Sequence, residues 1–142
     1  MKISAKTDYA CRALIELSLH WPKTAPMGIT AIAASQNIPI KYLPHILIQL
    51  KSMGMVESIR GQHGGYLLVK APKEIKLSEV VQGFSTVQLF STSKSSKSKH
   101  KNVLQEIWQE AQGAVFGFMD NITFEDIISR QRNFVKVPMY TI

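Results

Sequence analysis

The chain has 142 residues, 45% hydrophobic and 19% charged, which bounds it to one globular domain with at most an appended element and excludes a disordered or fibrous protein. Its net charge is +7, of which residues 1–70 supply +5 (eight Lys/Arg against three acids), while residues 102–128 hold five acids and no Lys or Arg, so the positive field belongs to the first half and to the run Lys94–Lys101 and suits a polyanionic partner. No apolar run approaches the roughly 18 residues of a membrane span and no signal-peptide pattern follows Met1, so a cytoplasmic protein is expected; the one cysteine, Cys11, excludes an intrachain disulfide framework and a multi-cysteine metal site.

Ser4 is placed to cap a helix in which Tyr9, Ala10, Ala13, Leu14, Leu17 and Trp21 recur at three- and four-residue spacing as one apolar stripe. Pro22 stops it, and Pro26-Met27-Gly28 reads as a loop. A short second helix covers Ile29 to Gln36, with Thr30 as its cap and Ala31, Ala33 and Ala34 small enough for close helix approach. Asn37 tolerates the left-handed conformation that ends a helix. Ile38 and Pro39 carry the chain into a third helix over roughly 41–53, which buries Leu43, Ile46, Leu47, Leu50 and Met53 and stops at Gly54. Short helix, tight turn, longer helix is the helix-turn-helix pattern. Pro44 agrees with it, because backbone N–H groups in a first turn have no intrahelical partner to lose.

Met55–Ile59 and Tyr66–Val69 read as two strands joined by Arg60-Gly61-Gln62-His63-Gly64-Gly65. Glycines permit the tight exposed turn of a hairpin, and Arg60, Gln62 and His63 put donors on it with no acid beside them. A basic hairpin directly after a helix-turn-helix is the wing of a winged-helix DNA-binding domain. An extended piece from Ile75 and a Ser78 cap then introduce a small helix to about Phe84. The Ser/Lys-rich residues 91–101 read as a flexible loop, either a basic arm on phosphates or a solvated linker.

A long helix from Val103 to Met119 is too apolar for a solitary surface helix. Gly113 and Gly117, four apart, cost about 1 kcal/mol each relative to alanine in a helix interior. Close approach at a dimer seam would compensate, with Ile107, Trp108, Ala111, Gly113, Val115, Gly117 and Phe118 at the interface. Asp120-Asn121 break this helix, Thr123 caps a final short helix to Ile128, and Arg130–Ile142 shows no clear pattern. The expected fold is mainly α with a small β-wing. Its parts are a winged helix-turn-helix (1–84), a flexible basic loop (85–102), a dimerisation helix with a final short helix (103–130) and a tail (131–142).

Five stretches together resemble the Rrf family of bacterial winged-helix regulators. They are Ile3-Ser4-x-Lys6-x-x-Tyr9-Ala10-x-Arg12-Ala13-Leu14, Ile38-Pro39-x-x-Tyr42-Leu43, Leu50-Lys51-x-x-Gly54, Glu57-Ser58-x-Arg60-Gly61-x-x-Gly64-Gly65-Tyr66 and Asn121-Ile122-Thr123. The resemblance implies a homodimer in which each recognition helix enters a major groove and each wing meets the adjacent backbone or minor groove. Many members sense through a cluster held by three cysteines between the small helix and the dimer helix. Residues 85–105 contain no cysteine and His100 is their only soft ligand, so no metal and no cofactor is expected. Asp8 falls where nitric-oxide-sensing members supply a carboxylate ligand, and here it is expected to be an ordinary first-turn acid. Pro44-His45 replaces the Glu and Gln that cluster regulators place against base edges, so their operator does not carry over.

The expected contacts with double-stranded DNA are Lys41, Tyr42, His45 and Gln49 on the exposed side of the recognition helix, Thr30 at the second helix, Lys6 and Lys51 near phosphates, and Arg60, Gly61, Gln62, His63 and Gly64 in the wing. Cys11 is expected to serve as a small buried hydrophobe. The leading reading is a homodimeric transcription regulator, a repressor without a cluster, answering to a small-molecule or protein effector. The alternative is a winged-helix module whose main ligand is a partner protein met through the acidic 102–128 segment. An enzyme is the weakest reading, since His20, His45, His63 and His100 show no ligand spacing and no nucleophile–base pair appears.

Overall fold

The structure, a computed structural model, describes residues 2–22, 25–85 and 103–136. The Ser/Lys run 91–101 and the end of the tail lie outside the described residues. Six helices appear among them, α1 (Ala5–Leu19), α2 (Ile29–Gln36), α3 (Leu43–Ser52), α4 (Leu77–Phe84), α5 (Val103–Asp120) and α6 (Phe124–Lys136), with one antiparallel hairpin of β1 (Val56–Ile59) and β2 (Gly65–Leu68). The mainly helical fold with a small wing is as the sequence predicts.

The first helix begins where its cap is: the Ser4 hydroxyl accepts the Thr7 N–H at 3.1 Å. It ends at Leu19, so Trp21, counted in the apolar stripe, falls beyond the helix and is exposed. Ala10, Ala13, Leu14 and Leu17 are buried, and α2, α3, α4 and α6 all pack on this helix. The second helix departs from expectation at its start. Gly28, not Thr30, is the N-cap, and no side chain caps it; Thr30 sits exposed inside the first turn. Of its small residues only Ala33 is buried, beside Ile32, while Ala31 and Ala34 face outward. Asn37 ends it in the left-handed conformation, φ 53°.

The third helix is preceded by a 3-10 turn, Ile40–Tyr42, so its α-helical part opens at Leu43 with Pro44 in the first turn. Leu43, Ile46, Leu47 and Leu50 form its buried row, with Met53 partly buried beyond its end. Gly54 reverses the chain at φ 76°. The strands pair from Val56↔Leu68 to Ile59↔Gly65, one residue short of the predicted outer ends. Residues 26–28, predicted as a plain loop, supply a third rung. Met27 exchanges two 2.8 Å backbone hydrogen bonds with Tyr66, and a Cβ on Gly65 would overlap the Met27 carbonyl. Glycine is therefore required at 65 by close backbone approach.

Ser78 also differs from its predicted role. Lys76 is the N-cap residue of α4, and the buried Ser78 hydroxyl donates to the Asp120 carboxylate at the end of α5. Next to that contact, Leu77 N–H donates to Ile122 O at 2.8 Å and Phe124 N–H to Ile75 O at 3.0 Å. Thr123 caps α6 as expected, its hydroxyl accepting from Asp126 N–H at 3.2 Å while Asp126 accepts from Thr123 N–H at 2.9 Å. These bonds from Thr123, with Arg130 nearby, hold the Asp126 carboxyl below the usual aspartate range. The sixth helix runs on to Lys136, eight residues past the predicted end at Ile128. Phe124 and Ile128 are buried, with Phe124 in the main core against α1. Phe124→Ala should lower unfolding stability by about 3–5 kcal/mol, the usual range for a buried phenylalanine, read from urea denaturation.

Candidate nucleic-acid interface

The outward side of α3 follows from its buried row. At about 100° per residue, the positions opposite Leu43, Ile46, Leu47 and Leu50 are His45, Ile48 and Ser52, and Lys41 extends this stripe from the 3-10 turn that leads into the helix. All four are exposed. The flanks are tied to neighbouring elements. On the α1 side Tyr42 stacks on Tyr9 with ring centroids 5.6 Å apart, and Lys41 Nζ lies 5.0 Å from the Tyr42 ring. On the wing side Lys51 Nζ donates to the Ser58 hydroxyl at 2.9 Å.

Gln49 is the correction. Its amide donates to the Gly83 carbonyl at 2.6 Å, so it faces α4 instead of the exposed side predicted for it. Its place on the outward stripe belongs to Ile48, which is absent from the expected contacts although its helical spacing from His45 points to it. Lys6 is exposed, with its ammonium 5.7 Å from the Phe84 ring. Lys6 and His45 line a groove of about 390 Å³ between α1 and α3, with Tyr9 and Tyr42 in its wall and Ile46 at its base. Thr30 is exposed on α2. Arg60, Gly61, Gln62 and His63 are exposed at the wing tip, where Gly64 N–H donates to Gly61 O at 3.0 Å and Gly61 takes φ 124°.

Arg12 and Glu16 are held for a different task. Arg12 pairs with Asp8 at 2.9 Å and reaches the Gln36 carbonyl at 3.5 Å. One turn on, the buried Glu16 accepts from Gln36 Nε2 at 2.8 Å and faces His20 Nε2 at 3.3 Å. Both side chains fix the end of α2 against α1, and Asp8 lies in the first turn of α1.

On α5, Ile107 is 49%, Trp108 40% and Phe118 62% exposed. Gly113 and Gly117 would meet nothing within 4 Å if a Cβ were added, so the described residues give no packing reason for them. Ala111 is partly buried; Val115 turns inward, packed with Phe116 against Val81 and Met119.

Residues 3–130 match the sequence profile of the Rrf2 family, described as an iron-dependent transcriptional regulator. The chain belongs to the Rrf2 family. It is 32% identical over 129 residues to an HTH-type transcriptional regulator of Synechocystis, covering 89% of this chain and 87% of the relative. It is 26% identical over 136 residues to the HTH-type transcriptional regulator IscR of Photorhabdus laumondii, covering 92% and 81%. Among solved structures, T. potens IscR superposes with a TM-score of 0.80 at 25% identity, covering 94% of this chain and 90% of that one. CymR of B. subtilis, the global cysteine regulator, superposes at 0.79 with 28% identity, covering 92% and 98%. This Rrf2 protein is a DNA-binding transcriptional regulator of the winged-helix type.

The iron in the family's description does not fit the side chains of this Rrf2 chain. A thiolate-held iron–sulfur site needs several cysteines, and the chain has one. Among the described residues no three His, Cys, Asp or Glu side chains gather to hold a metal ion. Cys11 packs against the main core, and burial, with Asp8 adding to it, pushes its thiol up to about 12. The reactive thiolate is therefore scarce at neutral pH. Ellman's reagent should react with Cys11 in the folded protein up to about a thousandfold more slowly than in urea, from the thiolate fraction.

Proposed function

We propose that the protein is a homodimeric repressor that binds a specific duplex operator in the cytoplasm without an iron–sulfur cluster. The observation that carries this is the outward stripe of α3, where Lys41 and His45 stand exposed beside the cationic tip of the wing. In the bound complex α3 lies in the major groove. Lys41 pairs with phosphate or guanine, Tyr42 donates to phosphate, and His45 meets a base edge. Lys6, Thr30 and Lys51 flank it at phosphates, and Arg60 through Gly64 contact the neighbouring backbone or minor groove. Gln49, committed to Gly83, acts from behind by setting the helix angle. The exposed Ile107, Trp108 and Phe118 pack against a second copy, and the open faces of Gly113 and Gly117 let the two helices approach closely. The signal is a small molecule or a partner protein, since the thiol chemistry of a cluster is missing. No catalytic step is assigned to any residue.

Gel-shift titration on a footprinted operator tests the interface. Affinity should fall steeply with salt, and Arg60→Ala should weaken binding by about 1–3 kcal/mol at fixed salt. Salt-insensitive capture of a protein, with no footprint, would favour the interaction-module reading. Sedimentation tests the seam: the wild type should run as a dimer and Phe118→Asp as a monomer with unchanged helical content.

A further inference from the structure

The outward stripe of α3 holds three polar residues and one apolar one. Ser52 closes its hydroxyl onto the Gln49 carbonyl at 2.7 Å, which leaves Lys41 and His45 as the donors and Ile48 as the apolar element between them and the helix end. Ile48 is 59% exposed, and it belongs to neither hydrophobic cluster of the described residues. Its neighbours Leu47 and Leu50, in contrast, are fully buried.

Isolated apolar residues on a surface are common; position distinguishes this one. Its helix flanks are spoken for, Gln49 by α4 and Lys51 by the wing, so Ile48 projects from the middle of the face that carries Lys41 and His45. A β-branched side chain is stiff at χ1 and presents a fixed apolar surface. The floor of the major groove offers one apolar group for such a surface, the 5-methyl of thymine. Resting on the DNA-binding reading above, we propose that Ile48 is a specificity-determining residue that reads one thymine methyl in each operator half-site.

The test separates this from DNA binding as such. An operator is selected from a random duplex library with the full chain, and each thymine of a half-site is then replaced by uracil, which removes the methyl alone. Uracil at one position should weaken wild-type binding about fourfold, the effect of one buried methyl group. Ile48→Ala should bind the thymine operator more weakly and show no difference between thymine and uracil there. Ile48→Val should keep part of the difference, which preserves the test should the alanine variant fold poorly. Wild-type indifference to every replacement, a selected half-site without thymine, or a full uracil penalty retained by Ile48→Ala would each overturn the assignment while leaving DNA binding intact. Failure to select any sequence would remove the DNA-binding reading and the Ile48 role together.

Discussion

The rotation of α3 about its own axis decides what this protein shows to a DNA groove. Burial of Leu43, Ile46, Leu47 and Leu50 docks the helix, each contributing about 1.5–3 kcal/mol. Three lateral ties then set the angle: the Tyr9–Tyr42 stack, the Gln49 bond to Gly83 and the Lys51 bond to Ser58. Hydrogen bonds and ring stacks of that kind contribute only about 0.5–1.5 kcal/mol each, too little to hold the helix down. They come from three different elements, however, and a helix tied from three sides keeps its outward stripe fixed. One register step, about 100°, would replace Lys41, His45 and Ile48 with a different set.

The same frame joins the reading end to the proposed seam. Ser78 on α4 donates to Asp120, and the chain on either side of Thr123 pairs with the approach to α4 through Ile75 and Leu77. Met119 and Val81 close a second small cluster between α4 and α5. The fourth helix packs on α5 and also holds Gln49 of α3 through the Gly83 carbonyl, so one element touches both the proposed seam and the recognition helix.

Much of this was legible in the sequence because it is written in local chemistry. Ser4, Asn37, Gly54 and Thr123 act where their side chains or backbone freedom place them. The wing glycines likewise predict the hairpin to within a residue. What escaped depends on distant partners. Gln49 shares the three-residue and four-residue spacing of the exposed positions, and only Gly83, 34 residues on, turns it away. The Met27–Tyr66 rung is backbone pairing with no side-chain signature. Thr30 looks like a cap, but Gly28 precedes it at the turn where the chain already runs extended. The end of α6 has a weaker signature, since Ser129 to Asn133 carries no apolar residue and helix-favouring Arg and Gln extend the helix beyond Ile128. Ile48 carries no polar signature, although its spacing from His45 places it on the outward stripe.

Phe124 completes the core of the DNA-reading half from the far end of the chain, lying with Leu14 and Leu47 in one buried cluster. Residues from before 84 and after 103 thus share one buried cluster. During synthesis the winged-helix portion emerges first, with the seat of Phe124 still open, and its last apolar piece follows only after α5 has been made. The last buried piece of the reading head is thus encoded after the helix proposed to bring two copies together, so the core of the first half closes only with residues that follow α5.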